Sequence, residues 1–210
     1  MGLVFKMYAN EQDDGAFPEL SMQPGTLAIR EDEAYRSVYP EYLTDLTVLQ
    51  CPIPQYGGGL CRPAPPPPPA PATIADDRSY LYLGYQIADQ ATLEKFAVAY
   101  RARIAAGQPF DEDLLIEGTD GSSAVISRLR EEDTSADDPA RRTEYKQFQS
   151  RMPVLIERYP NQHIPDGGNV LYMDGHVEFI KWGTAWPMTP EAMEVLLALD
   201  ALGSATSNAE

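Results

Sequence analysis

The chain has 210 residues, 43% hydrophobic and 23% charged, enough to bury one sizeable core, which excludes a chain disordered throughout. A formal charge of −16 repels phosphate backbones and anionic lipid surfaces, so nucleic acid is excluded as a partner and peripheral membrane binding is disfavoured. There is no run of about 18 apolar residues, and Met1 to Lys6 lacks the parts of a signal peptide, so a membrane contact is expected only through a helix upstream of Met1.

Gly2 to Glu11 reads as helix, with Leu3 stacked on Met7 and Val4 on Tyr8. Its start is apolar all round, as expected of the end of a longer helix (residues 1–12) or of one buried by neighbours. Asp13, Asp14 and Gly15 stop it, and Phe17-Pro18 leads out extended into a head predicted over 13–188. From Glu31 to Asp45, Tyr35, Tyr39 and Tyr42 recur at helical spacing, with Pro40 opening a second short turn, and Leu46 to Leu49 is predicted as a brief strand.

Cys51 and Cys61 are the only two cysteines and close a ring rich in proline and glycine. A disulfide there would contribute roughly 3 kcal/mol and imply an oxidising compartment; the alternative is two free thiols. A proline-rich insertion at 63–71, with five consecutive prolines from Pro65 to Pro69, reads as a stiff polyproline II spacer.

Ser79 to Ile87 is predicted as a buried strand. Asp89 caps a helix carrying Leu93, Phe96, Ala97, Tyr100 and Ile104 on one face, and Gly107 ends it. Asp111 to Asp138 holds ten carboxylates against Arg128 and Arg130. Calcium could draw oxygens from Asp111, Asp113 or Asp120, although Glu131 to Asp138 is more simply a solvated loop. Val154 to Ile156 is predicted as a strand. Thr189, Pro190 and Glu191 open a C-terminal helix over 189–202, with Ala192, Met193, Leu196, Leu199 and Leu202 on one side; a polar tail is expected over 203–210.

Asn169 to Met173 and His176 to Trp182 flank Asp174-Gly175, a strong signal for a hairpin with a two-residue type I′ turn. That turn pairs Met173 with His176, Tyr172 with Val177, Leu171 with Glu178 and Val170 with Phe179, placing Val170, Tyr172, Val177 and Phe179 on a core face. Upstream, His163 to Gly168 brings both histidines near Asp166, Asp174 and Glu178 in the sequence. A metal-dependent hydrolase at His163, Asp174 and His176 is one reading; turn and surface hydrogen bonding is the simpler one. No nucleophile elbow or phosphate-cradling loop is present, and no cofactor is expected beyond calcium, for which Asp166 and Asp174 are the candidates near the hairpin.

The run from Asn161 through His163, Gly167, Gly168, Asp174, Gly175 and His176 to Ile180 resembles the C-terminal signature of the prepilin-type His-spacer-Asp-Gly family, pilin-like proteins of planctomycete type. Met1 to Glu11, followed by Asp14 to Pro18, resembles the end of that family's long N-terminal helix, and Trp186 to Glu191 its tail. The spacer between His163 and Asp174 is ten residues where the family pattern has nine. The resemblance implies an α+β pilin-like head: an N-terminal helix remnant (Leu3, Val4, Met7, Tyr8), an antiparallel sheet with a C-terminal hairpin, and a C-terminal helix. It further implies a non-catalytic subunit of a type IV pilus or type II secretion pseudopilus, partnered by other pilin or pseudopilin subunits. Such a subunit is periplasmic or at the cell surface, anchored in the inner membrane before assembly. The alternative is a secreted binding module for a glycan, a cation or a partner protein.

Overall fold

The structure, a computed structural model, describes residues 1–22, 27–30, 38–49, 73–74, 79–117, 123–131, 139–160 and 165–200. Cys51, Cys61, the proline insertion, Tyr35, Asp120, residues 132–138, His163, Leu202 and the tail lie outside the described residues. In chain order the elements are α1 (Gly2–Glu11), β1 (Ile29–Arg30), a 3-10 turn (Leu46–Leu49), β2 (Thr73–Ile74), β3 (Tyr80–Tyr82) and α2 (Gln90–Ala106). There follow β4 (Leu114–Glu117), β5 (Ser123–Ile126), α3 (Pro139–Gln149), β6 (Pro153–Glu157), β7 (Gly167–Tyr172), β8 (Val177–Lys181) and α4 (Pro190–Asp200). The fold is α+β: a four-stranded antiparallel sheet ordered β3-β6-β7-β8, with two-stranded pairs β1-β2 and β4-β5 beside it.

The helices form where their punctuation directs. The Asp89 carboxylate accepts the Thr92 amide at 2.7 Å, satisfying one of the free amides at the start of α2, and Gly107 closes its other end at φ 63. Thr189 caps α4 through Oγ1 to the Ala192 amide at 3.2 Å. Leu93, Phe96, Ala97 and Tyr100 of α2 and Ala192, Met193, Leu196 and Leu199 of α4 are buried, and the two helices pack together. An ion pair of 2.9 Å between Arg158 and Asp200 ties the end of α4 to the chain just beyond β6.

The central strands are buried on both faces. Val170, Ile156 and Leu81 align across one face and Leu171, Leu155 and Tyr82 across the other, all within the core. α1 covers the Tyr82 side. Phe5 stacks between Phe17 at 5.7 Å and Tyr82 at 5.6 Å, and removing so buried a ring costs about 3–5 kcal/mol. On the opposite face Met188 packs over Gly168, in the space a β-carbon would fill.

Several expectations are corrected. Leu46–Leu49 is a 3-10 turn, not a strand, since a four-residue run with three apolar side chains suits either. Around Pro40 the chain makes the short turn expected there, the Tyr42 and Leu43 amides both donating to the Val38 carbonyl, while residues 31–37 lie outside the described residues. Of the expected Ser79–Ile87 strand, Tyr80–Tyr82 forms β3 and the Leu83 amide still donates to the Val154 carbonyl of β6, but Tyr85 and Gln86 bond instead to Arg128 and Ser127. The acid-rich region contains the hairpin β4-β5, whose Leu114 and Ile126 are buried, and Glu131 is held by Lys6 at 2.7 Å rather than solvated. α3 was not expected from the sequence, because its charged face hides the buried Gln149 and half-buried Tyr145 and Phe148.

The β7-β8 register is shifted by one residue from the expected pairing. Leu171 faces Val177, Val170 faces Glu178, Asn169 faces Phe179, Gly168 faces Ile180 and Gly167 faces Lys181. The turn therefore contains Met173, Asp174 and Gly175, with the Gly175 amide donating to the Tyr172 carbonyl at 2.9 Å and Gly175 at positive φ, 95°. This is the three-residue loop with a glycine bulge, the other common solution to an Asp-Gly hairpin. The shift turns Val177 and Phe179 out of the expected core face; they are 61% and 41% exposed.

Candidate assembly site

The hairpin tip is held by its own side chains. Asp174 Oδ1 accepts the His176 amide at 3.0 Å and lies 2.5 Å from His176 Nδ1, while the imidazole stacks on Tyr172 with centroids 4.5 Å apart and planes 4° from parallel. Burial, assisted by Glu178, pushes the Tyr172 phenol up to about 12. Asp174 and His176 thus spend their groups on turn chemistry, leaving the imidazole half exposed. Asp166 sits at the other end of β7, where its carbonyl accepts the Trp182 amide at 3.0 Å. Since β7 separates the two acids by roughly 20 Å of extended chain, one cation cannot take both as ligands.

Of the other proposed oxygen donors, Asp113 and Asp111 are engaged as well. Asp113 accepts the Arg128 amide at 2.9 Å and Arg130 Nη1 at 2.7 Å; burial raises its carboxyl pKa, but these donors outweigh it and hold the group below the usual range. Asp111 pairs loosely with Arg103 at 3.8 Å. Among the described residues no group of three or more His, Cys, Asp or Glu side chains is placed to hold a metal ion, and no helix is long and apolar enough to cross a membrane.

The two sequence regions that carry the resemblance meet at the tip. A β-carbon on Gly2 would lie 2.8 Å from the Gly175 Cα and 3.3 Å from its carbonyl oxygen, so the first turn of α1 is seated directly on the Asp174-Gly175 turn. From there α1 points Phe5, Tyr8 and Ala9 inward and holds Val4 half-buried, while Leu3 and Met7 face outward at 72% and 43% exposure. Of the four expected assembly residues, Leu3 and Met7 are therefore surface groups, and Val4 and Tyr8 anchor the helix. Gly167 and Gly168 fit by size: a β-carbon on Gly167 would strike the Ile180 carbonyl at 2.5 Å and the Phe179 ring at 2.6 Å.

Sequence reasoning missed the outward stripe Val177, Phe179 and Lys181 on β8, which lies at the end of its sheet. It also missed Arg128, whose buried guanidinium donates to the Phe17 carbonyl at 2.6 Å and the Asp111 carbonyl at 2.9 Å, and buried Glu157, which accepts both the Asn169 amide (2.8 Å) and its Nδ2 (3.0 Å). No sequence signal distinguishes these charges from surface ones. Comparison with protein-family models, curated proteins and solved structures returns no match.

Proposed function

We propose that this chain is the head of a filament subunit of the type IV pilin or type II secretion pseudopilin kind, acting by assembly rather than by bond chemistry. The observation that carries the reading is the seating of α1 on the hairpin tip, which joins residues Gly2 and Gly175 from opposite ends of the chain. A head built to follow a helix into a filament needs that helix fixed rigidly to the sheet while part of its surface stays outward. Phe5 supplies the fixing, and Leu3 and Met7 supply the outward surface. The engagement of Asp174, His176 and Asp113 in turns and ion pairs favours a structural part for these groups over a catalytic one.

The reading assigns the protein to an extracytoplasmic place, with other subunits of its kind as partners and an inner-membrane anchor supplied upstream of Met1. The test is the product of the complete gene expressed in a cell that has a prepilin peptidase. The reading expects a hydrophobic helix behind a processing site, membrane insertion, and cleavage dependent on that peptidase. A gene with neither the helix nor the site would overturn it.

A further inference from the structure

The geometry points to a specific contact between copies of this chain: the outward stripe of α1 in one copy packs on the outward stripe of β8 in the next. The inference rests on the filament reading and names the surfaces it would use. Leu3, Met7 and Glu11 follow one another at four-residue spacing on the helix, about 6 Å per step, and all three are exposed. Val177, Phe179 and Lys181 follow one another at two-residue spacing on one face of β8, about 6.7 Å per step, and are likewise exposed. The two stripes thus have matched pitch and the same order: two apolar groups, then a charge, acidic on the helix, where the exposed Glu11 carboxylate also accepts the Tyr42 hydroxyl, and basic on the strand.

This complementarity selects another copy as the occupant. A chain of charge −16 repels its own kind in most orientations. The stripes offer one orientation in which apolar surfaces meet and the terminal charges, Glu11 and Lys181, attract. Since different surfaces of the two copies are joined, the contact is heterologous, and repetition gives an open chain rather than a closed dimer. Both stripes start beside the hairpin tip, so the seating of α1 on Gly175 fixes the angle between successive copies.

The test uses the full 210-residue chain, with a photo-crosslinking benzoylphenylalanine in place of Phe179, alongside the charge variants Glu11→Lys and Lys181→Glu. Irradiation at high protein concentration is expected to give a ladder extending beyond dimer, with the cross-linked peptides mapping to residues 3–11 of another copy. In sedimentation, each charge reversal is expected to weaken association about fivefold and the double reversal to restore it to within about twofold. A ladder that stops at dimer, cross-links that avoid residues 3–11, or absence of any cross-link overturns the stripe pairing. Filaments formed by the complete gene product with Phe179 cross-linked elsewhere would overturn the pairing and leave the filament reading standing; a complete gene without helix and processing site removes that reading independently.

Discussion

Replacing Gly2 with alanine tests whether α1 truly rests on the hairpin, because two effects of opposite sign compete. In a free helix the change is favourable by up to about 1 kcal/mol, since glycine has the larger backbone freedom to lose. Here the added carbon would stand 2.8 Å from the Gly175 Cα, about an ångström inside ordinary carbon contact, and the obstacle is backbone that cannot swing aside. Overpacking of this kind costs about 1–3 kcal/mol, so a net loss near 1 kcal/mol is predicted, lowering Tm by about 3 °C in a chain of this size. Scanning calorimetry reads the sign, and amide hydrogen exchange should quicken both in the first turn of α1 and at Met173 to His176. Leu3→Ala serves as control: its side chain is exposed, and a change within about 0.5 kcal/mol is expected. A rise in Tm for Gly2→Ala, with exchange at the hairpin tip unaltered, would refute the contact.

Other consequences are equally open to measurement. Gly167→Ala should destabilise by about 2–3 kcal/mol in urea unfolding because its β-carbon meets the Ile180 carbonyl, whereas Gly168→Ala should cost under about 1 kcal/mol because flexible Met188 can yield; equal costs would contradict the packing. Arg128→Met leaves the Phe17 and Asp111 carbonyls without their donors and should cost about 3 kcal/mol by the same assay; a neutral result would mean those bonds are not formed in solution. Asp89→Ala should lower stability by about 1 kcal/mol, read by calorimetry, through loss of the α2 cap. The Asp89 carboxyl is held down by its bonds to Thr92, and Asp113 by the Arg128 and Arg130 donors against the opposing effect of burial. Depressed native pKa values stabilise above the unfolded carboxyl pKa near 4 and lose that effect as pH falls through the native values, so acid titration of Asp113→Asn should be flatter below about pH 4 than that of the parent.

What was legible in the sequence was punctuation and periodicity. Asp89, Gly107 and Thr189 mark helix ends by chemistry that acts within a few residues: α2 begins and ends beside the first two, and α4 begins beside the third. The β4-β5 hairpin and α3 were hidden because the charges flanking them are used in long-range pairing, Asp113 with Arg130 and Glu131 with Lys6 and with Gln149 of α3, which composition alone reads as solvation. The register of β7-β8 turned on a single bulge: Asp-Gly permits two turn geometries, and choosing the wrong one reversed the facing of Val177 and Phe179. For the site, Asp174, Gly175 and the α1 residues stood out singly, but their meeting through Gly2 depends on tertiary packing that no local pattern encodes.

The central claim is assembly through a helix fixed to this head, and the most direct measurement is electron cryomicroscopy of surface material sheared from cells expressing the complete gene. The account predicts filaments that contain this chain, with α1 continuing an axial helix and the Asp174-Gly175 turn beneath its first turn. Recovery of the chain only as a monomer, with no filament containing it under conditions where the secretion or pilus machinery is active, would contradict the account.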